Sequence, residues 1–251
     1  MDHLLECRGI GYEIGAEVLL EEIDLTLSPG DEVVIFSEQQ QAASSLLQIC
    51  STLIRPTKGK LIIEGREVDY DNGEELLKLK RRLAFVDKKS TLIQNLTLLE
   101  NLALANIYHE NRSLEETEDE LDPLIELMDL REVLHLRPAE VDPAVKSRAL
   151  YAIEAAKDPV VAIFDQPEND YSENDRHYLF SMLNRLKQDG NAGFLIHSRS
   201  SYLIEQWGET FVLLKGGVAM PPVTRDSFLR SWKQDTGHQL QGEEEKREHG
   251  S

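Results

Sequence analysis

Short apolar or alternating runs open the chain. "LLECRGIGYEI" (4–14), "EVLLEEIDLTL" (17–27) and "DEVVIF" (31–36) keep the two-residue period of strands and are punctuated by Gly15 and by Pro29-Gly30. The run VVIF then leads through one short polar segment into "AASSLLQICSTLI", whose apolar spacing predicts a helix. "RPTKGKLIIEGREVDY" (55–70) predicts a turn and a hairpin with Gly65 between its strands. A βαβ-like core thus begins inside a region rich in antiparallel strands.

The pattern changes after residue 97. "TLLENLALANIYHE", "SLEETEDELDPLIELMDLREVL" and "DPAVKSRALYAIEAAKDP" carry helical spacing, so residues 97–158 read as a helical subdomain. The acidic stretch 115–122, Pro123 and Pro138 interrupt it, and Pro123 stands where a helix either starts or kinks. A parallel-sheet pattern then returns. "VVAIFD" is a strand ending in an acid, "RHYLFSMLNRLKQDG" a helix closed by Gly190, "AGFLIH" a strand, "SYLIEQWG" a short helix, and "TFVLLKGGVAM" a terminal hairpin. One domain is expected over 1–235, with 236–251 lacking any core-forming pattern and expected to be a disordered tail.

The charge of −19, from 27 basic and 46 acidic residues, opposes association with nucleic acid phosphates or anionic lipid. "KLKRR" at 78–82 is the dense basic cluster, expected as a solvated face beside a strand. Two cysteines, Cys7 and Cys50, are far apart in sequence without metal-ligand spacing, so neither a disulfide framework nor a zinc site is implied and a reducing compartment fits. No secretion signal and no run of 18 apolar residues is encoded, so direct membrane insertion is not expected and any membrane connection comes through a partner.

The register of "SEQQQAAS" against GxxxxGK[ST] opens the chemistry. Both fixed glycines are replaced, by Ser37 and Ala42; Ala43 stands at the lysine position and Ser44 keeps the magnesium-binding hydroxyl. Glu38 adds a negative charge at the mouth. In their order and spacing these pieces resemble the nucleotide-binding (ATPase) subunit of an ABC transporter over about residues 4–220. Within that family, "LRPAEVDPAVKSRALYAIEAAKDPVVAIFDQP" (136–167) is similar to the ATPase subunit of bacterial phospholipid transporters that work with MCE proteins.

The resemblance implies an α/β P-loop fold with a mixed, largely parallel sheet core, an N-terminal antiparallel part and an inserted helical subdomain. It implies site positions too. Asp165 falls at the aspartate that holds the magnesium hydration shell, and Gln166 at the catalytic glutamate, where a neutral amide cannot accept a proton as a carboxylate can. Val141, Asp142, Pro143, Ala144 and Val145 fall at the signature turn that faces the γ-phosphate of a head-to-tail partner; Asp142 opposes phosphate charge and Pro143 has no N–H to donate. Lys88 falls at the Q-loop glutamine and Ser172 at the D-loop aspartate. His197 matches the switch histidine, and Tyr12 the aromatic that stacks on adenine.

Each survivor also has a bland reading. His197 can be a structural hydrogen-bonding residue, Tyr12 a core or rim aromatic, Asp165 a cap for the following turn, and Ser44 a hydroxyl capping its own helix. The expected function is a degenerate, non-hydrolysing ATP-binding-subunit-like protein with a structural or regulatory role on a permease or a partner ATPase, contacting it through residues 86–110. No cofactor is expected, ATP with magnesium being the alternative as a weak ligand, and a homodimer remains open. Two other readings stand beside this one: a free soluble binding or regulatory protein, and an ATPase with weak binding or hydrolysis that borrows Lys88 or Lys89. A cytoplasmic location at the inner face of the membrane, through a partner, follows from the resemblance.

Overall fold

The computed structural model describes residues 3–110, 113–167, 175–188 and 191–232; the expected tail, Ser172 and Gly190 lie outside the described residues. The N-terminal part runs β1 (Leu5–Ile14), β2 (Glu17–Leu27), β3 (Glu32–Ser37), α1 (Gln40–Cys50), β4 (Lys58–Ile63), β5 (Arg66–Glu67), α2 (Gly73–Arg81) and β6 (Leu83–Val86). The middle holds α3 (Leu98–Glu110), α4 (Leu114–Leu127) and α5 (Pro143–Ala155), with short 3-10 turns between the last two. The chain then continues through β7 (Val161–Asp165), α6 (Arg176–Gln188), β8 (Gly193–His197), α7 (Ser201–Gln206), β9 (Thr210–Lys215), β10 (Val218–Ala219) and β11 (Val223–Thr224), and residues 225–232 are helical.

Two sheets result. An antiparallel one has the order β2-β1-β4-β5; a mixed one has β10-β9-β3-β8-β7-β6, with β11 also on β9. Strands β6, β7, β8, β3 and β9 run parallel to one another, and β10 and β11 pair antiparallel with β9. The alternation of side chains along a strand explains the layers. Leu83, Val161, Ile163, Leu195, Val33 and Ile35 point into a core shared with α1 and the antiparallel sheet. Ala84, Val86, Ala162, Phe164, Phe194 and Ile196 point into the opposite core, shared with the helices of the middle region. Both faces are therefore covered, which is why β7 and β8 are buried throughout and apolar up to the Asp165 and His197 that end them.

The hairpin at Gly65 forms as expected: Ile63 pairs with Arg66, and Glu64 and Gly65, with φ of 49° and 75°, supply the two left-handed residues of a two-residue turn. "KLKRR" is, as expected, a solvated face beside a strand: it ends helix α2, which is capped by the Asn72 side chain, has no buried residue and packs beside β6. One expectation needs correction: the acidic stretch 115–122 and Pro123 do not interrupt the helical pattern but lie inside α4, so Pro123 does not start a helix; a Ser113–Glu116 capping box and the buried Leu121, Ile125 and Met128 hold α4 on both sides. The cysteines, distant in sequence, meet in space where β1 passes the end of α1.

Candidate phosphate-loop site

The strand β3 delivers Ser37 and the helix α1 begins at Gln40, so only Glu38 and Gln39 connect them. In the GxxxxGK[ST] register the four variable positions are 38–41, and two of them are already helical. The cause is local. Gln and Ala cost less in a helix than Gly, by up to about 1 kcal/mol per residue, so "QQQAAS" extends the helix toward the strand where a glycine pair would resist it.

That extension occupies the backbone donors. The N–H groups of Ala42 and Ala43 both donate to the Gln39 carbonyl, at 3.1 and 3.4 Å. Ser37, buried, accepts the Gln39 N–H through its hydroxyl oxygen at 3.1 Å, and the same hydroxyl lies within donor reach of the carbonyls of Gln39 and Leu214. The first glycine position has thus become a staple that closes the turn on itself. Ala42 and Ala43 have no exposed surface, and Glu38 is exposed at the opening.

Ser44 is one turn into α1. It is no cap: its hydroxyl donates to Asp165 Oδ2 at 2.5 Å. The other carboxylate oxygen, Oδ1, accepts from His197 Nδ1 at 2.7 Å. Asp165 ends β7 and His197 ends β8, in direct register as parallel neighbours. Three sequence-predicted residues therefore form one chain, Ser44 to Asp165 to His197. His197 is wholly buried, and its Nε2 has no hydrogen-bond partner among the described residues. Gln166 follows in a left-handed backbone, φ 55°, held by its N–H to the His197 carbonyl at 2.8 Å.

The remaining positions stand apart from this chain. Asp142 is the residue before α5, exposed, with no cap bond from its side chain, and Pro143 takes the first helical position, where a missing N–H costs nothing. An acid there complements the helix dipole of α5 itself. Ala144, Val141 and Val145 are partly buried, the two valines against the core of the helical region. Lys88 and Lys89 are exposed on the turn after β6. Tyr12, on β1 opposite Leu20, is partly buried and packs against the core beneath α1.

Two residues escaped sequence reasoning. Asp87, beside Lys88, is buried and organises its turn: Oδ1 accepts the Lys89 N–H at 2.9 Å and Oδ2 the Gln48 side-chain amide at 3.4 Å, tying the turn to α1. The "DKKS" pattern of an Asx-type turn was the available signal. Asn101, on α3, donates to the carbonyls of Ile93, Leu96 and Thr97 and accepts the Ile93 N–H at 2.8 Å. It fixes the loop beside a cleft of about 280 Å³ lined by Phe85, Ile93, Leu104, Leu150 and Ile153. Among the described residues no group of three or more His, Cys, Asp or Glu is arranged to hold a metal ion.

A family model of the ABC transporter matches residues 20–169. An uncharacterized ABC transporter ATP-binding protein of Thermotoga maritima is 31% identical over 183 residues, 71% of this chain and 77% of the relative. The lipoprotein-releasing system ATP-binding protein LolD of Aquifex aeolicus is 27% identical over 227 residues, 90% of this chain and all of its own length. The glutamine transport ATP-binding protein GlnQ of Escherichia coli is 24% identical over 216 residues, 86% of this chain and 90% of the relative. A dimeric ATP-binding cassette solved with ADP and Pi superposes with a TM-score of 0.79 at 22% identity, over 88% of this chain and 98% of that one.

The fold is that of an ATP-binding cassette. The chain belongs to the ABC transporter ATP-binding family, as its sequence implied.

Proposed function

We propose that the chain is a non-hydrolysing member of this family, one that docks on a permease or on a competent ATPase of the same fold and acts through structure. The observation that carries the reading is the helical extension to Gln40, with the Ala42 and Ala43 amides engaged by Gln39. A phosphate loop works because its amides face the anion and a lysine bridges the phosphates. Here the Ala42 and Ala43 amides serve the Gln39 carbonyl and Ala43 stands for the lysine. ATP and magnesium do not fit this set of residues.

The same reading accounts for the second half of the site. Gln166 cannot take a proton from water, and Asp142 sets a carboxylate where a γ-phosphate of a partner would approach. Head-to-tail pairing of two copies brings Asp142 toward the opening that holds Glu38, like charge against like, so a different chain is the favoured partner. The cleft beside Ile93, a residue 44% exposed, suits an apolar helix from a permease. Among the described residues no helix is long and apolar enough to cross a membrane, so attachment to the inner face runs through that partner. Lipid transport as the process rests on the likeness of residues 136–167.

A second reading, an ATPase with weak turnover, is favoured by one observation: Ser44, Asp165 and His197 remain joined. Phosphate release from ATP and magnesium by the purified chain separates the two. We expect no release above that of an Asp165→Asn variant; turnover that Asp165→Asn abolishes would establish the second reading instead.

A further inference from the structure

We propose that Cys7 and Cys50 are an oxidation site: they form an intramolecular disulfide that ties β1 to the C-terminal end of α1, the helix that has grown into the phosphate loop. The two sulfurs lie 3.6 Å apart although 43 residues separate them in sequence. Both thiols are free and buried. Cys7 stands mid-sheet, opposite Leu25 of β2 and Leu61 of β4, and Cys50 is the last residue of α1. A disulfide needs its sulfurs about 2.0 Å apart, so closure asks for a movement of about 1.6 Å from the reduced contact.

Access is one-sided. Cys7 also lines a cleft of about 320 Å³ with Thr26, Val212, Met220 and Pro222, where the two sheets meet, and Met220 is 44% exposed. Hydrogen peroxide, close to water in size, fits such a cleft. The Cys7 thiolate attacks one peroxide oxygen and the O–O bond breaks, leaving a sulfenic acid on Cys7 and a hydroxide that takes up the thiol's proton as water. The Cys50 sulfur then attacks the Cys7 sulfur, the S–O bond breaks, and the departing hydroxide leaves as water with the Cys50 proton. Two thiols and one peroxide become one disulfide and two waters. Cys7, which lines the cleft, takes the first step and Cys50 the second; hydrogen bonding to Cys7, then burial, pushes the Cys50 thiol up, so the second step quickens as pH rises.

The test treats the purified full-length protein with hydrogen peroxide. Intact mass should show the loss of two hydrogens, free thiols should fall from two to none, no crosslinked dimer should form, and Tm should rise and return on reduction. In Cys50→Ser, a sulfenic-acid label should trap Cys7 and no bridge should appear. Thiols that persist in the folded protein but oxidise in denaturant would overturn the proposal, as would a crosslink between chains or a sulfinic acid on Cys7 of the wild-type protein. If Cys50→Ser does not fold, the wild-type mass decides alone.

Discussion

Ser44 and Asp165, 121 residues apart in sequence, meet at 2.5 Å, and the carboxylate that receives the serine also holds the buried ring of His197. The contact joins α1 to the ends of β7 and β8. On the non-hydrolysing reading proposed above, this contact is a structural clamp.

Removing the carboxylate should therefore destabilise the fold. Asp165→Ala strands a fully buried imidazole and a serine hydroxyl, and about 1–3 kcal/mol is expected for the histidine alone. Urea unfolding reads this as a fall in midpoint at unchanged slope. Equal or greater stability in the variant, the mark of a carboxylate held at a cost for catalysis, would tell against a structural clamp.

Tyr70 predicts an alkaline limit. Burial first, then the neighbouring Cys50 and Cys7, push its phenol above its ordinary value of 10.0. The unfolded chain ionises at the lower value while the folded chain stays neutral, so this contribution is intact below about pH 10 and is lost as pH climbs toward the folded value. Its hydroxyl has no hydrogen-bond partner among the described residues, so Tyr70→Phe should flatten the alkaline slope and leave stability at neutral pH equal or higher. A loss of more than about 1 kcal/mol at neutral pH would mean that the hydroxyl is bonded after all.

Asn101 should govern the loop of residues 91–97. Asn101→Ala removes a side chain that serves one N–H and three carbonyls, at a cost of about 1–3 kcal/mol, and hydrogen exchange should quicken over residues 91–97. Unchanged exchange there would show that the loop is held by its own packing.

What could be read from the sequence follows the strength of its periodicity. β7 and β8 were plain because both faces are buried, and the hairpin at Gly65 because only particular residues accept its turn. Helix α2 was hidden: its apolar stripe is short, Leu76 and Leu79 packing only partly buried against the core, and its charges look like any solvated surface. The loss of the glycines at 37 and 42 was plain in the letters. Their consequence was not, since helix propensities of about 1 kcal/mol or less per residue compete with tertiary contacts such as the Ser37 staple. The Cys7–Cys50 contact, set by how β1 crosses α1, left no local signal.

The most direct measurement is a denaturation scan of the full chain with and without millimolar ATP and magnesium. A site of micromolar affinity would at that concentration add about 4 kcal/mol of stability through linkage. No shift is expected, because the Ala42 and Ala43 amides already serve Gln39 and Ala43 stands where a lysine would meet phosphate. A clear rise in Tm would contradict this and show that α1 gives up its first turn to make a phosphate loop.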